Sequence, residues 1–329
     1  MATLVTGATG FIGSHIARKL VHRGEKVKIL VRKTSNTSNI NDIDAERIYG
    51  DILDKDSLKK ALEGCDTLYH TAGFVSFRKA DYQKMEDINV GGTSNVLSAA
   101  LETGVKKAVY TSSVAAVGVD PKGGVADENT PFTLEGEGIQ YLNTKYYAEK
   151  KALKFFEKGL PVIIVNPSIV LGAGDVYLSS AGFVLWYCKK RFPGYMDGTL
   201  NLVDVEDVAE GHILAAEKGK IGERYILGNK NMTLRELFDL LEKVTGIPSP
   251  KIKIPYFLAY TSAFLVERVL GLSFPNYSTM DLDSVKLSRF NWYVDSSKSI
   301  KELGYRQTPV EETIEKTVKW FKENGYLAN

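Results

Sequence analysis

Three residues of this 329-residue chain have types and spacing that could move a proton: Ser113, Tyr141 and Lys145. Tyr141 and Lys145 stand at i and i+4 in a stretch, Ile139 to Lys158, whose pattern predicts a long helix, so both side chains project from one face. A free phenol has a pKa of about 10, and an ammonium beside it stabilises the phenolate, drawing that value toward neutral pH. A tyrosine tuned in this way exchanges a proton with a substrate oxygen. Such pairs are common on surface helices, so Ser113 decides the reading. It follows the strand-like run Lys107–Thr111, in Tyr110-Thr111-Ser112-Ser113, where its hydroxyl can donate to the same oxygen. Ser112 and Thr111 fit local bonds to backbone. His70 reads as a satisfied near-core histidine. His15, His22 and His212 lack companion ligands, so no metal site is expected.

A second motif says what would stand opposite the tyrosine. Thr6-Gly7-Ala8-Thr9-Gly10-Phe11-Ile12-Gly13 follows a strand pattern and opens a helix whose Ile12, Ile16 and Leu20 share one face. Gly7 permits the tight turn, Gly10 lets backbone approach a pyrophosphate, and Gly13 allows the helix to pack closely on the sheet. Unsatisfied N–H groups at the helix start, those of Phe11, Ile12 and Gly13, are then free to bind phosphate oxygens. A dinucleotide is expected here, with hydride moving to or from its nicotinamide as the tyrosine handles the proton. About 20 residues beyond the turn, where a carboxylate would hold the ribose of NAD, the chain has Arg32 and Lys33. A guanidinium there pairs well with a 2′-phosphate, which favours NADP(H); if both residues are merely solvated charges, NAD(H) stays open. Asp51, next to Ile52, is placed either to accept from the adenine amine or to cap a turn.

The elements that must carry these residues alternate in type. Strands are expected at Thr3–Thr6, Lys26–Val31, Arg47–Tyr49, Thr67–His70, Lys107–Thr111 and Pro161–Val165. Helices are expected at Phe11–His22, Ser57–Glu63, Asp87–Glu102 and Ile139–Lys158. This predicts an α/β fold, a Rossmann-type doubly wound parallel sheet, with ligand at the strands' carboxyl ends. The dinucleotide-binding domain spans 1–166, with a return segment at 201–227 that begins at the strand-like Leu202–Val205. A smaller, interleaved substrate lobe takes 167–200 and 228–329. Phe183, Trp186 and Tyr187 either line its pocket or fill its core.

Bulk properties narrow the partners. With 42 Lys+Arg against 40 Asp+Glu, no basic field points to nucleic acid, and a small-molecule substrate is expected. Cys65 and Cys188 lack metal-ligand spacing and fit a reducing compartment. A strand pattern starting near the first residue leaves no room for a signal peptide, so a cytoplasmic location is expected. The apolar run Ile254 to Val266 is too short to span a bilayer and reads as a helix packed in the second lobe.

These motifs together resemble the extended short-chain dehydrogenase/reductases almost from end to end. The likeness rests on Thr6–Gly13, Gly50-Asp51-Ile52, His70-Thr71-Ala72-Gly73, Asn89-Val90-Gly91-Gly92-Thr93, Ser113, Tyr141 through Glu149, and Val203 through Ala209. Within that superfamily it is most similar to the dihydroflavonol 4-reductase-like group, near bacterial hopanoid-associated sugar epimerases. Leu30-Val31-Arg32-Lys33-Thr34-Ser35, Val165-Asn166-Pro167-Ser168 and Glu223-Arg224-Tyr225-Ile226-Leu227-Gly228 carry the narrower likeness. The resemblance implies that Lys145 bonds the nicotinamide ribose, that Ala72 and Gly73 line the cofactor cleft, and that Pro167 lies near the carboxamide. Asn89 is left as either a brace or a cofactor contact. A homodimer through the helices Asp87–Glu102 and Ile139–Lys158 is also implied. Val114 and Ala115 replace the Asp-Glu pair of the related dehydratases, which disfavours dehydration. Gly118 replaces the Asn that holds flavonoid rings.

The reading favoured by these residues is an NADP(H)-dependent reductase or dehydrogenase acting on a ketone or aldehyde and its alcohol. A nucleotide-sugar 4-epimerase would use the same three residues but need cations for a diphosphate, with Arg191 and Arg224 as candidates. A non-catalytic dinucleotide-binding redox sensor would need the glycine turn and not the proton relay.

Overall fold

Apolar, β-branched runs alternate with 3.6-period segments through the first half of the chain, and each becomes a strand or a helix of one layered unit. The computed structural model describes residues 2–269 and 281–328, so residues 270–280 of the expected substrate lobe lie outside it. The order begins β1 (Ala2–Thr6), α1 (Phe11–His22), β2 (Lys26–Val31), β3 (Glu46–Tyr49), α2 (Lys55–Leu62) and β4 (Cys65–His70). It continues with α3 (Tyr82–Glu86), α4 (Thr93–Glu102), β5 (Lys107–Thr111), α5 (Val114–Val117), α6 (Gln140–Glu157) and β6 (Val162–Pro167). The second half contains β7 (Ile169–Leu171), α7 (Gly182–Cys188), β8 (Thr199–Asp204), α8 (Val205–Lys218), β9 (Arg224–Leu227) and β10 (Lys230–Thr233). Last come α9 (Leu234–Thr245), α10 (Tyr256–Phe264), α11 (Leu282–Leu287), α12 (Ser297–Leu303) and α13 (Val310–Glu323).

Seven strands pair in parallel in the order β3-β2-β1-β4-β5-β6-β9. The order reverses direction between β1 and β4, which opens a crevice at their carboxyl ends. Both faces are covered. Ile16 and Leu20 of α1 join Val208 and Ile213 of α8 over one face, while Leu58 of α2, Val96 of α4 and Ala148 of α6 cover the other. Burial on both sides explains why β6, Val-Ile-Ile-Val-Asn-Pro, reads as a continuous apolar run rather than an alternating one.

The helix expected over Asp87–Glu102 starts earlier and carries a π-helical turn at Asp87–Gly92 between α3 and α4. There Gly92 lets Ile52 in, since an added Cβ would lie 2.6 Å from Ile52 Cδ1. A larger difference concerns Leu202–Val205, which the sequence assigns to the return toward the main sheet. Instead β8 runs between β7 and β10 in a three-stranded sheet. Leu200 and Leu202 point into the second lobe's core while Val203 and Val205 face the first, so period-2 alternation serves two cores at once. The return is made by α8, capped by the Asp204 carboxylate accepting from Glu206 N–H, and by β9.

The segment expected to pack as a helix from Ile254 to Val266 forms α10, continued by a π-turn at Leu265–Val269. Only Ala263 of α10 is buried, and Phe257 is 71% exposed. No helix among the described residues is long and apolar enough to cross a membrane.

Glu206 ties α8 to α1, with His15 Nδ1 at 2.5 Å and Lys19 Nζ at 2.8 Å. The His15 hydrogen bond, against the effect of burial and with help from Lys19, holds this carboxyl down at about 2. A depressed carboxyl contributes stability that is complete above its ordinary value of 4.5 and lost as pH falls through about 2. Glu206→Gln should therefore lower stability at pH 6 and flatten the loss of stability between pH 5 and 3, as measured by urea unfolding at each pH.

Candidate active site

The β1–α1 turn and the end of β4 come closer than any side chain would allow. Gly7 has φ +76°, and a Cβ on it would lie 2.6 Å from Ala72 N and 2.7 Å from Thr71 Oγ1. A Cβ on Gly13 would lie 2.4 Å from the Gly7 carbonyl oxygen. Gly10 caps α1 without a side-chain bond, and the first turn carries no acid, so the N–H groups of Phe11, Ile12 and Gly13 face no competing carboxylate. That is the cradle a pyrophosphate requires. Ala72 thus forms the wall of the turn, and Gly73 leads from it to Lys145: a Cβ there would lie 3.7 Å from Lys145 Nζ.

Arg32 and Lys33 are exposed at the end of β2. Asp51, after β3, accepts from Leu53 N–H at 3.0 Å, the turn-capping alternative. Ile52 packs on Gly92, and Pro167 ends β6. Beside Pro167, the Asn166 Oδ1 and Ser168 Oγ atoms are buried without a partner among the described residues. Every residue singled out for the dinucleotide therefore lies along the carboxyl edge of the parallel sheet.

Ser113, in extended conformation with φ −167°, caps α5; its hydroxyl accepts from Ala115 N–H at 3.1 Å and hydrogen-bonds the Tyr141 phenol. Lys145 is 9% exposed, and its ammonium donates to the Thr111 carbonyl at 3.4 Å. Burial lowers Lys145 to about 8, with Glu149 opposing. The expected depression of the Tyr141 phenol is not what the folded chain presents. Burial pushes it above its ordinary value, against the effect of the Ser113 hydroxyl. His70 is held neutral by burial, at about 3, with both ring nitrogens bonded to Thr6 and Thr93 hydroxyls.

Asn89 proves to be a brace. Its carbonyl accepts from Phe74 N–H at 2.8 Å and its amide donates to Phe74 O at 2.9 Å, fixing the loop that follows Gly73. Phe183, Trp186 and Tyr187 fill or border the second lobe's core. Phe77, Phe132, Leu287, Phe290 and Trp292 pack, as Tyr141 does, against a separate buried cluster of Ala115, Val119, Leu134, Ile139 and Leu142. The Phe77 ring meets Tyr141 edge-on at 5.7 Å. The sequence reading missed these five because they come from three distant segments with no shared period. Cations around them are occupied: Arg78 pairs with Asp81, Lys286 with Asp283, and Arg289 with Glu137. Arg224 is bound to Glu149, and Arg191 is exposed just beyond α7.

Gly13→Ala should lose dinucleotide binding and about 1–3 kcal/mol of stability, because the new methyl meets backbone that cannot move aside. Gly91→Ala, where an added Cβ meets nothing within 4 Å, is the matched control and should retain binding. Cofactor fluorescence titration and urea unfolding read both.

The profile of the family described as "NAD dependent epimerase/dehydratase family" matches residues 3–228. Over 328 residues the chain is 37% identical to a provisionally named dihydroflavonol 4-reductase of Synechocystis sp., covering 98% of this chain and 95% of that one. It is 36% identical to sterol demethylase protein B of Methylococcus capsulatus, covering 99% and 100%. The crystal structure of gox2253 superposes with a TM-score of 0.88 at 40% identity, covering 99% of each chain. The glycine cradle, the parallel sheet and these likenesses over its full length lead to one conclusion: the chain belongs to the NAD dependent epimerase/dehydratase family and is an NAD(P)-dependent oxidoreductase.

Proposed function

We propose that the protein is an NADP(H)-dependent reductase that interconverts a ketone or aldehyde, carried on a largely apolar molecule, and its alcohol. The apolar, largely aromatic cluster in which Tyr141 packs, with the Phe77 ring edge-on to it, carries this reading. A sugar diphosphate would need free cations beside that cluster, and Arg78, Lys286 and Arg289 are each paired. Of the two candidates for a phosphate, Arg224 is committed to Glu149, while Arg191 is exposed just beyond α7. These pairings count against the epimerase. The naming of one relative for sterol chemistry agrees with a lipophilic substrate.

When bound, the nicotinamide supplies or accepts the hydride at the carbonyl carbon. In the reductive direction Ser113 donates a hydrogen bond to the carbonyl oxygen and polarises it. Tyr141 gives that oxygen its phenolic proton as the alcohol forms, and the Lys145 ammonium stabilises the phenolate left behind. Reversal of these steps oxidises the alcohol. Arg32 holds the 2′-phosphate from the end of β2, with Lys33 beside it. Free thiols at Cys65 and Cys188 suit a cytoplasmic enzyme, and a second copy docking on α4 and α6 completes the reading.

Tyr141→Phe should retain cofactor binding and lose about 10²–10⁴-fold in cofactor oxidation with a panel of apolar ketones. Unchanged turnover would remove the phenol from the mechanism, and binding with no turnover in the parent chain would favour a redox sensor. Arg32→Ala should weaken NADPH by about 1–3 kcal/mol and leave NADH unaffected, by fluorescence titration. Equal loss for both cofactors, or none, would return the choice to NAD(H) and raise nucleotide sugars as substrates to screen.

A further inference from the structure

Glu149 has no role in the steps above, yet it is 2% exposed and lies one helical turn beyond Lys145 on the same face of α6. Both of its oxygens are held. Oε1 receives Arg224 Nε at 2.8 Å from the first residue of β9, and Oε2 receives Asn166 Nδ2 at 2.7 Å from β6. The same Asn166 amide donates to the Ser113 carbonyl at 3.0 Å. Arg224 is itself anchored, its Nη1 donating to the Glu128 carbonyl at 3.3 Å. A buried carboxylate stays ionised only when paired and hydrogen-bonded, and this one satisfies both conditions.

The groups facing Lys145 otherwise do little to keep it charged. His70 of β4 is neutral and buried, Tyr141 of its own helix is a protonated phenol, and β5 offers only the Thr111 carbonyl. Around Glu149 stand the Arg224 guanidinium of β9, the Tyr110 phenol of β5 and, through Arg224, the Glu128 loop. The one negative group acting on the Lys145 ammonium is thus Glu149.

We propose that Glu149 is a positioning residue of the active site, clamped by Arg224 and Asn166 so that its buried carboxylate keeps Lys145 an ammonium. This rests on the Ser113, Tyr141 and Lys145 assignment, and it makes Arg224 part of the catalytic support rather than of substrate binding. At about 8, Lys145 is mostly charged at neutral pH. Without the carboxylate, its midpoint should fall by about one pH unit, leaving it half neutral under the same conditions.

The test needs neither substrate nor turnover. The full chain is labelled with [ε-¹³C]lysine, the Lys145 signal is assigned by its loss in Lys145→Arg, and its chemical shift is followed from pH 5.5 to 10. Glu149→Gln should lower the midpoint by about one unit. The double variant Glu149→Gln with Arg224→Gln removes the pair together, leaves no lone buried charge, and should show a smaller downward shift, because the guanidinium that opposes the carboxylate is lost with it. A midpoint unchanged or raised in Glu149→Gln, or raised in the double variant, overturns the proposal. If the midpoint falls while no ketone is reduced, the positioning role stands and the reductase reading fails.

Discussion

The approach of the β1–α1 turn to the end of β4 sets the position of everything else. At Gly7 the backbone comes so near Ala72 and Thr71 that no Cβ fits, and Gly13 seals α1 against the same carbonyl. This contact brings the helix start over the crevice where the strand order reverses, so the start of α1 and the β4 exit become neighbours by construction. Gly73 then carries the chain from that contact to Lys145. Thr71 reinforces it, its hydroxyl donating to the Thr6 carbonyl at 2.7 Å.

Burial is the second constraint, and it acts against the chemistry as well as for it. Burial raises the Tyr141 phenol and lowers the Lys145 ammonium. Each protonation state at the site is therefore set by a balance between desolvation and a few specific partners: the Ser113 hydroxyl for Tyr141, Glu149 for Lys145. Placing the acid deep on α6, with its own cation from β9, supplies charge without opening the site to solvent.

Much of this arrangement was legible in the residues because it is local. The glycine turn, the i and i+4 tyrosine and lysine, and the strand–helix alternation all depend on neighbours within one turn or one strand, and apart from the interrupted helix that ends at Glu102 the elements of the first half appear within a residue or two of where periodicity puts them. What was illegible is long-range. Nothing in the Arg224 neighbourhood signals that its partner is Glu149, on a helix 75 positions earlier. Nor does the alternation in Leu200–Asp204 say that its two faces meet different cores. The phenol's raised proton affinity was missed for the same reason. Spacing places a lysine on the right face but does not show how far burial raises the phenol.

The path of α8 and β9 bears on whether the halves of this protein are separable. β9 closes the edge of the main sheet beyond β6, and α8 covers the face shared with α1, yet both are reached only after the chain has passed through the small sheet. A fragment ending at Asn166 would leave β6 with unpaired backbone along one side and Ile16, Leu20 and Val165 uncovered. The half of the chain that carries β1 to β6 is therefore not an autonomous folding module. It acquires its last strand from a segment that cannot arrive until β7 and β8 have been threaded, which couples the folding of the two lobes.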